Sequence, residues 1–396
     1  MISILLRIDL TSIIKLDNYH LHLHMNPTTI PGSTGFIPAI AMVFRLAPLP
    51  VPSAGRPSVS KARRRALLGL VPAWGLMLAA PSAAGAPAAA ASGARPLVLA
   101  GPPATVSYPL VHMADSGSLD DIAPGTRFQL WQNPDQLRAW AVGGGADFMA
   151  MPSNVAANLY AQGVPLRLLN VATWGMLWLV TRDPALHALD DFRGLEIAMP
   201  FRADMPDILF GLLASRLGLD PRRDFSLRYV PTPFDAIQQL LLRRVDHALL
   251  PEPAVSMVLR KSESFPVSVV APTLYRGVNL SQAWGRILGR EPRIPQAGVV
   301  AVGKSSVDTD LSSRVRAQYA DSLAWCLAHP AACGELVARH IPMLTADAVA
   351  DSLVRSRDRA VDAVDAREEL EFFFQCLLAD QAALIGGRLP GQDFYA

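Results

Sequence analysis

Charge is scarce in this chain and cysteine scarcer. Only 18% of its 396 residues are Asp, Glu, Lys or Arg, and the formal net charge is +2. Nothing in that balance favours a nucleic-acid partner, which would call for a basic face with interleaved aromatics. The three cysteines, Cys326, Cys333 and Cys376, lie in the C-terminal part and have neither metal-ligand nor Cys-x-x-Cys spacing. Cys326 and Cys333, seven apart, could share one helix face; a disulfide between them would need a helix break, which His329-Pro330 could supply, and buried free thiols are the simpler expectation. No apolar run reaches the ~20 residues that span a bilayer. No Ser/His/Asp set, paired-carboxylate motif or metal signature can be placed, so no catalytic residue, cofactor or metal is expected. What remains is a globular composition, 51% hydrophobic, long enough for two domains.

The N-terminal part divides at Lys61. Residues 1–60 join a short apolar opening, the alternating histidines His20, His22 and His24, and a Pro/Ser-rich run. Alternate histidines on an extended segment share a face and could chelate a metal, but no carboxylate or cysteine joins them. A true start at Met25, Met42 or elsewhere accounts for the region more simply. From Lys61 the order is that of a secretory signal: basic Lys61, Arg63, Arg64 and Arg65, apolar Ala66 to Ala80, then small residues from Ala83 to Ala94. Arg64-Arg65-Ala66-Leu67-Leu68 also approaches the twin-arginine pattern, so Sec and twin-arginine export both stay open. The expected product is a periplasmic protein beginning between Pro87 and Arg95.

Within that product the chain is organised around Val142 to Asn154. Glycines end a helix, Asp147 to Met151 read as a short buried strand, and Pro152-Ser153-Asn154 turn into a new helix. The same grammar recurs before the helices near Asp204, Phe234 and Ala254. In an open α/β sheet such junctions sit at the carboxyl ends of strands, where ligands bind. Four of them suggest a cleft rather than one active residue. Strand and helix patterns alternate from Pro96 to Glu252, which predicts a parallel-rich sheet covered on both faces. A strand is expected over Phe265 to Ala271, then a Gly/Pro-rich insertion, a strand at Ala297 to Val302, and helix almost throughout from Ser305 to Ile385.

An ordered set of short segments then carries a resemblance. Gly145-Ala-Asp-Phe-Met-Ala, Gly163-Val-Pro-Leu-Arg, Trp178-Leu-Val-Thr-Arg-Asp, Leu189-Asp-Asp-Phe-Arg-Gly-Leu-Glu-Ile-Ala, Leu217-Gly-Leu-Asp-Pro and Arg244-Val-Asp-His-Ala-Leu-Leu-Pro-Glu-Pro each resemble a segment of the solute-binding proteins of ABC importers, in the nitrate, sulfonate and taurine group, in the same order. That family usually has Lys-Gly-Lys where this chain has Arg193-Gly194-Leu195, and weaker likeness continues through Gln296 to Val302 and Trp325 to Ala332. The resemblance implies the type II periplasmic-binding-protein fold. Two α/β lobes would be joined by a two-stranded hinge, here Met176 to Thr181 and Gly298 to Val302, with a helical C-terminal part. Lobe 1 would take residues 95–180 and 298–396, lobe 2 residues 181–297. The implied role is to capture a small, anionic organic solute as a monomer and deliver it to a permease with its ATPase subunits. Two alternatives remain: an enzyme on this fold, of the pyrimidine-precursor or menaquinone-pathway type, and a periplasmic ligand sensor. The pyrimidine-precursor enzymes carry a cysteine-rich iron motif that is missing here, and such enzymes are cytosolic.

The candidate ligand residues follow from both lines of reading. Thr105, Ser107 and Tyr108 belong to the loop after the first strand. Ser153 and Asn154 offer side-chain polar groups and free helix N–H groups, or simply cap the helix. Trp174 could wall the cleft, and Phe201 and Arg202 follow a strand directly, where Arg202 could hold a sulfonate or carboxylate by a forked pair of hydrogen bonds or pair with Asp204 or Asp207. Glu252 matches a Glu-Pro element that fronts the cleft in the family, or favours the helix start by charge. Met149, Met151, Met199 and Met205 near the strand ends suit an organic ligand with an apolar body better than bare nitrate.

Overall fold

Short apolar strands punctuated by Gly and Pro build two five-stranded sheets rather than one. The computed structural model describes residues 95–264, 273–356 and 358–396, all within the compact unit Ala88–Ala396. The histidine patch, the export signal, its cleavage site and the strand expected over Phe265 to Ala271 lie outside the described residues.

The first sheet has the order β2-β1-β3-β11-β4, with β1 at Val98–Gly101, β2 at Arg127–Leu130, β3 at Phe148–Pro152, β4 at Leu166–Leu168 and β11 at Ala297–Val302. β1 runs parallel to β2 and β3, whereas β11 is antiparallel to β3 and β4. β5 (Asn170–Val171) leaves this sheet to pair with β12 (Val361–Asp362). The second sheet has the order β10-β6-β9-β7-β8: β6 at Leu177–Thr181, β7 at Glu196–Pro200, β8 at Ser226–Val230, β9 at His247–Pro251 and β10 at Tyr275–Asn279. Here β7 is parallel to β8 and β9, and β6 is antiparallel to β9 and β10. Each sheet is therefore mixed but parallel-rich, with four strands running one way and one against them. In each, the strand that begins where the chain arrives from the other sheet runs against its neighbours.

Helices cover the sheets in chain order: α1 Tyr108–Ser116, α2 Pro134–Gly143, α3 Ser153–Ala161, α4 Met205–Arg216, α5 Pro233–Leu241, α6 Ala254–Glu263, α7 Leu280–Leu288, α8 Thr309–Ala328, α9 Pro330–His340, α10 Ala346–Arg355 and α11 Arg367–Gln381. Their starts are written locally. Asn133 accepts the Gln136 N–H to cap α2, and Thr232 and Asp235 form a reciprocal capping box on α5. One apolar core runs from Met149 and Val300 in the first sheet to Ile197 and Leu249 in the second and on to Phe373 and Phe374 of α11. β10 and α7 occupy the segment read as a Gly/Pro-rich insertion, and β2 was not foreseen.

The cysteine expectation is corrected. Cys326 and Cys333 are joined by a disulfide, with Cα atoms 5.2 Å apart, while Cys376 is free and buried. The enabling break is at His329, where α8 ends and α9 begins with Pro330 at its first position.

The segments expected as hinge are themselves sheet strands, and the chain passes between the sheets immediately before each. Thr173–Met176 leads into β6 and Ile294–Gln296 into β11, side by side. The Ile294 and Gln296 N–H groups donate to the Trp174 and Thr173 carbonyls at 3.0 Å each, and the Met176 N–H donates to Gln296 Oε1 at 2.8 Å. Glycine is required beside both crossings. Gly175 has φ 136°, and an added Cβ would lie 2.6 Å from Ser281; at Gly298 it would lie 1.8 Å from the Asn170 carbonyl oxygen.

Candidate functional site

Two cavities meet at Met176, between the sheets. The larger, about 410 Å³, is polar and the smaller, about 160 Å³, is apolar. The first alone falls in the range of small-molecule pockets, roughly 300 to 1,000 Å³. Among the described residues no group of three or more His, Cys, Asp or Glu gathers as metal ligands would.

The polar cavity draws its walls from both sheets. The turn after β1 brings Thr105, the crossing brings Trp174 and Met176, β6 brings Trp178, and the end of β9 brings Glu252. Trp174 is buried; its indole N–H donates to the Arg359 carbonyl at 3.0 Å and its backbone N–H to Asp358 Oδ1 at 3.4 Å. The Arg293 and Arg359 guanidiniums lie 5.5 and 5.4 Å from its ring centre. Glu252, only 6% exposed, accepts the Ser256 N–H at 3.1 Å and hydroxyl at 2.8 Å through Oε2, and an Arg276 N–H at 2.5 Å through Oε1. It thus satisfies a first-turn N–H of α6 and also lines the cavity. The half-buried Asp358 behaves differently: burial pushes its carboxyl up to about 6, against opposing hydrogen bonds from Ser356, Thr105 and the Trp174 backbone.

The apolar cavity lies at strand ends. Ala104 and Val106 after β1, Met151 in β3, Phe201 and Met205 after β7 and Phe234 after β8 line it. Phe201 and Ala203 hold left-handed backbone conformations, φ 57° and 62°, uncommon outside glycine and a local cost of about 1 to 3 kcal/mol each. Asp204 at the head of α4 faces Arg138 of α2 at 3.3 Å, so an ion pair joins helices associated with the two sheets beside this cavity. Burial raises the Asp204 carboxyl, and Arg138 opposes the shift.

The remaining expected residues divide clearly. Thr105, Trp174 and Glu252 come together in the polar cavity and Phe201 in the apolar one. Tyr108 is the first residue of α1, fully buried, with its hydroxyl 3.3 Å from Ser352 Oγ; burial lifts its pKa well above the ordinary value. Ser107 is buried and donates to the Pro102 carbonyl at 2.6 Å. Ser153 does not cap α3; its hydroxyl donates to the Pro295 carbonyl at 2.5 Å and ties the helix to the second crossing. Asn154 is buried, and its Oδ1 has no hydrogen-bond partner among the described residues. Arg202 lies in neither lining, exposed, with its guanidinium 5.1 Å from the Tyr229 ring centre. Missed by sequence reasoning were Arg355 at the end of α10, Asp358 and Arg359 just after it, Arg293 just before the second crossing and Trp178 in β6. The signal for the first three was Arg355-Ser-Arg-Asp-Arg, a run whose Ser356 and Asp358 are turn formers.

No protein-family model and no curated protein matches the chain. Solved structures do. An ABC transporter protein from Parabacteroides distasonis superposes with TM-score 0.61 at 20% identity, over 76% of this chain and 98% of that one. The periplasmic aliphatic sulphonate binding protein SsuA from Escherichia coli gives 0.56 at 16%, over 74% and 97%. The periplasmic nitrate-binding protein NrtA from Synechocystis gives 0.51 at 13%, over 65% and 70%. The chain thus has the fold found in binding components of ABC importers.

Proposed function

We propose that the chain is the solute-binding component of an ABC importer, exported to the periplasm, where it captures a small, anionic organic solute of the sulfonate, taurine or nitrate-like class and delivers it to a permease and its ATPase. The carrying observation is the 410 Å³ cavity whose walls come from both sheets and from the crossings that join them. Residues 95–180 and 298–396 form one lobe in this reading and residues 181–297 the other. A solute touching both favours the closed arrangement by its differential affinity for it, and the permease reads that arrangement. Arg355 and Arg359, both in the cavity wall, take the anion-holding role in place of Arg202. Trp174, Trp178 and Met176 give an organic body something to pack on, which bare nitrate would not use. Solved structures with this fold bear printed names of sulphonate and nitrate binders, which supports the class.

The test is calorimetry and thermal shift on residues 95–396 against alkyl and aryl sulfonates, taurine, nitrate, carboxylates and pyrimidines. A solute bound only by the folded chain raises Tm by mass action. Binding of an organic anion that is recovered unchanged is the expected result. A solute recovered chemically altered would overturn the reading in favour of an enzyme on this fold.

A further inference from the structure

The charges lining the polar cavity do not all cancel. Glu252 is held by Arg276 at 2.5 Å, and Glu291 by Arg293 at 3.6 Å, with Arg293 also on Glu369. Three lining charges are left: Asp358, Arg355 and Arg359. Among the described residues none of the three has an ion-pair partner within 4 Å. For the two exposed arginines this costs little, since water solvates them. Asp358 is the exception because it is half-buried and, among the described residues, receives hydrogen bonds only from neutral donors, Ser356, Thr105 and the Trp174 N–H. The neighbouring Arg359 does not serve as its counter-charge; its guanidinium is turned over the Trp174 ring. A carboxylate withdrawn from water without a cation is costly to the folded chain. Placed in a cavity wall, it also marks where a cation would be received.

We infer that the solute is a short zwitterion, whose protonated nitrogen sits against Asp358 while its anionic group is held by Arg355 and Arg359. This rests on the proposed solute-binding role and narrows the ligand class. The spacing suits a short molecule, because the three side chains come from five consecutive residues, Arg355 closing α10 and Asp358 and Arg359 just beyond it. Its carbon skeleton meets the wall made by Trp174, Trp178 and Met176. Tyr108 and Tyr319 also lie near Asp358, and burial holds both protonated; the other charged groups of the lining, Glu252, Glu291 and Arg293, already have partners.

The experiment uses matched probes that differ only at nitrogen: taurine against isethionate, and 3-aminopropanesulfonate against propanesulfonate, titrated into wild type, Asp358→Asn and Arg355→Ala/Arg359→Ala. The expected result is at least about tenfold tighter binding of each amino compound by wild type, as a charged hydrogen bond supplies. That preference should fall to about twofold or less in Asp358→Asn, which a melting curve shows to be folded. The arginine variant should weaken all four probes while keeping the amino preference. Equal binding of taurine and isethionate by wild type, or an unchanged preference in Asp358→Asn, overturns the inference and leaves the solute-binding reading standing. Failure of folded wild type to bind any of the four overturns the sulfonate-class reading and the inference with it.

Discussion

The two cavities beside Met176 are made by opposite means. The apolar one is built from strand ends, where β1, β3, β7 and β8 each stop and release a turn, and its walls are carbon except at Gln132, Asp204 and Thr232. The polar one is built from crossings and from the stretch after α10, and its walls carry charge. The difference teaches that in this fold the ends of β1, β3, β7 and β8 supply shape, while the crossings, the end of α10 with the stretch after it and the end of β9 supply charge. Strain accompanies the first, at Phe201 and Ala203, and uncompensated charge the second, at Asp358.

That contrast can be broken most directly at Glu252. Glu252→Ala strands the Arg276 guanidinium, whose side chain is 14% exposed, and should cost about 3 to 5 kcal/mol in denaturant unfolding. Glu196→Ala, which removes a partner from the exposed pair with Arg228, should cost under about 1 kcal/mol. Equal losses would mean that the polar cavity does not bury its charges.

The next effect is a pH dependence. With its carboxyl raised from 3.8 to about 6, folded Asp358 holds a proton that the unfolded chain has released between those values. Stability therefore falls as pH rises through about 4 to 6, by an amount on the order of 2 kcal/mol, and stays reduced above that window. Asp358→Asn should lack this loss, so melting of the two proteins should converge near pH 4 and separate by pH 7, the variant then being the more stable. A constant gap across the range would refute the account.

Phe201→Gly probes the apolar side, with a smaller change. Relief of the left-handed conformation, about 1 kcal/mol, offsets part of the lost ring contact, so the net change should stay within about 1 kcal/mol. Smallest of all is Arg202→Ala, expected to leave both stability and solute affinity within about 0.5 kcal/mol, since only an exposed ring contact is lost. A tenfold fall in affinity there would return Arg202 to the binding site.

Legibility in the sequence followed the same division. The strand-to-helix junctions could be read because Gly and Pro mark them and the strands between are continuously apolar, as in Phe148–Pro152 and His247–Pro251. Phe201 and Glu252 were found through those junctions. Asp358 and Arg359 were not, because they belong to the cavity only through a tertiary approach of the segment after α10 to Trp174, which no local pattern records. Ser153 looked like a cap and is a tie to Pro295, a contact spanning 142 residues. The one reversed strand of each sheet was missed for a similar reason: β11 reads like any buried strand, and its direction against β3 is set by where the chain re-enters the first sheet.

The covalent link between Cys326 and Cys333 has a consequence for where this chain can be completed. It fastens α8 to α9 across the break at His329. Two electrons must leave the thiols for it to form, and the reducing cytosol has no standing acceptor for them. Export would then act as more than an address: arrival in an oxidising compartment would be the step that locks the C-terminal helices, and chain retained inside the cell would carry α8 and α9 unfastened.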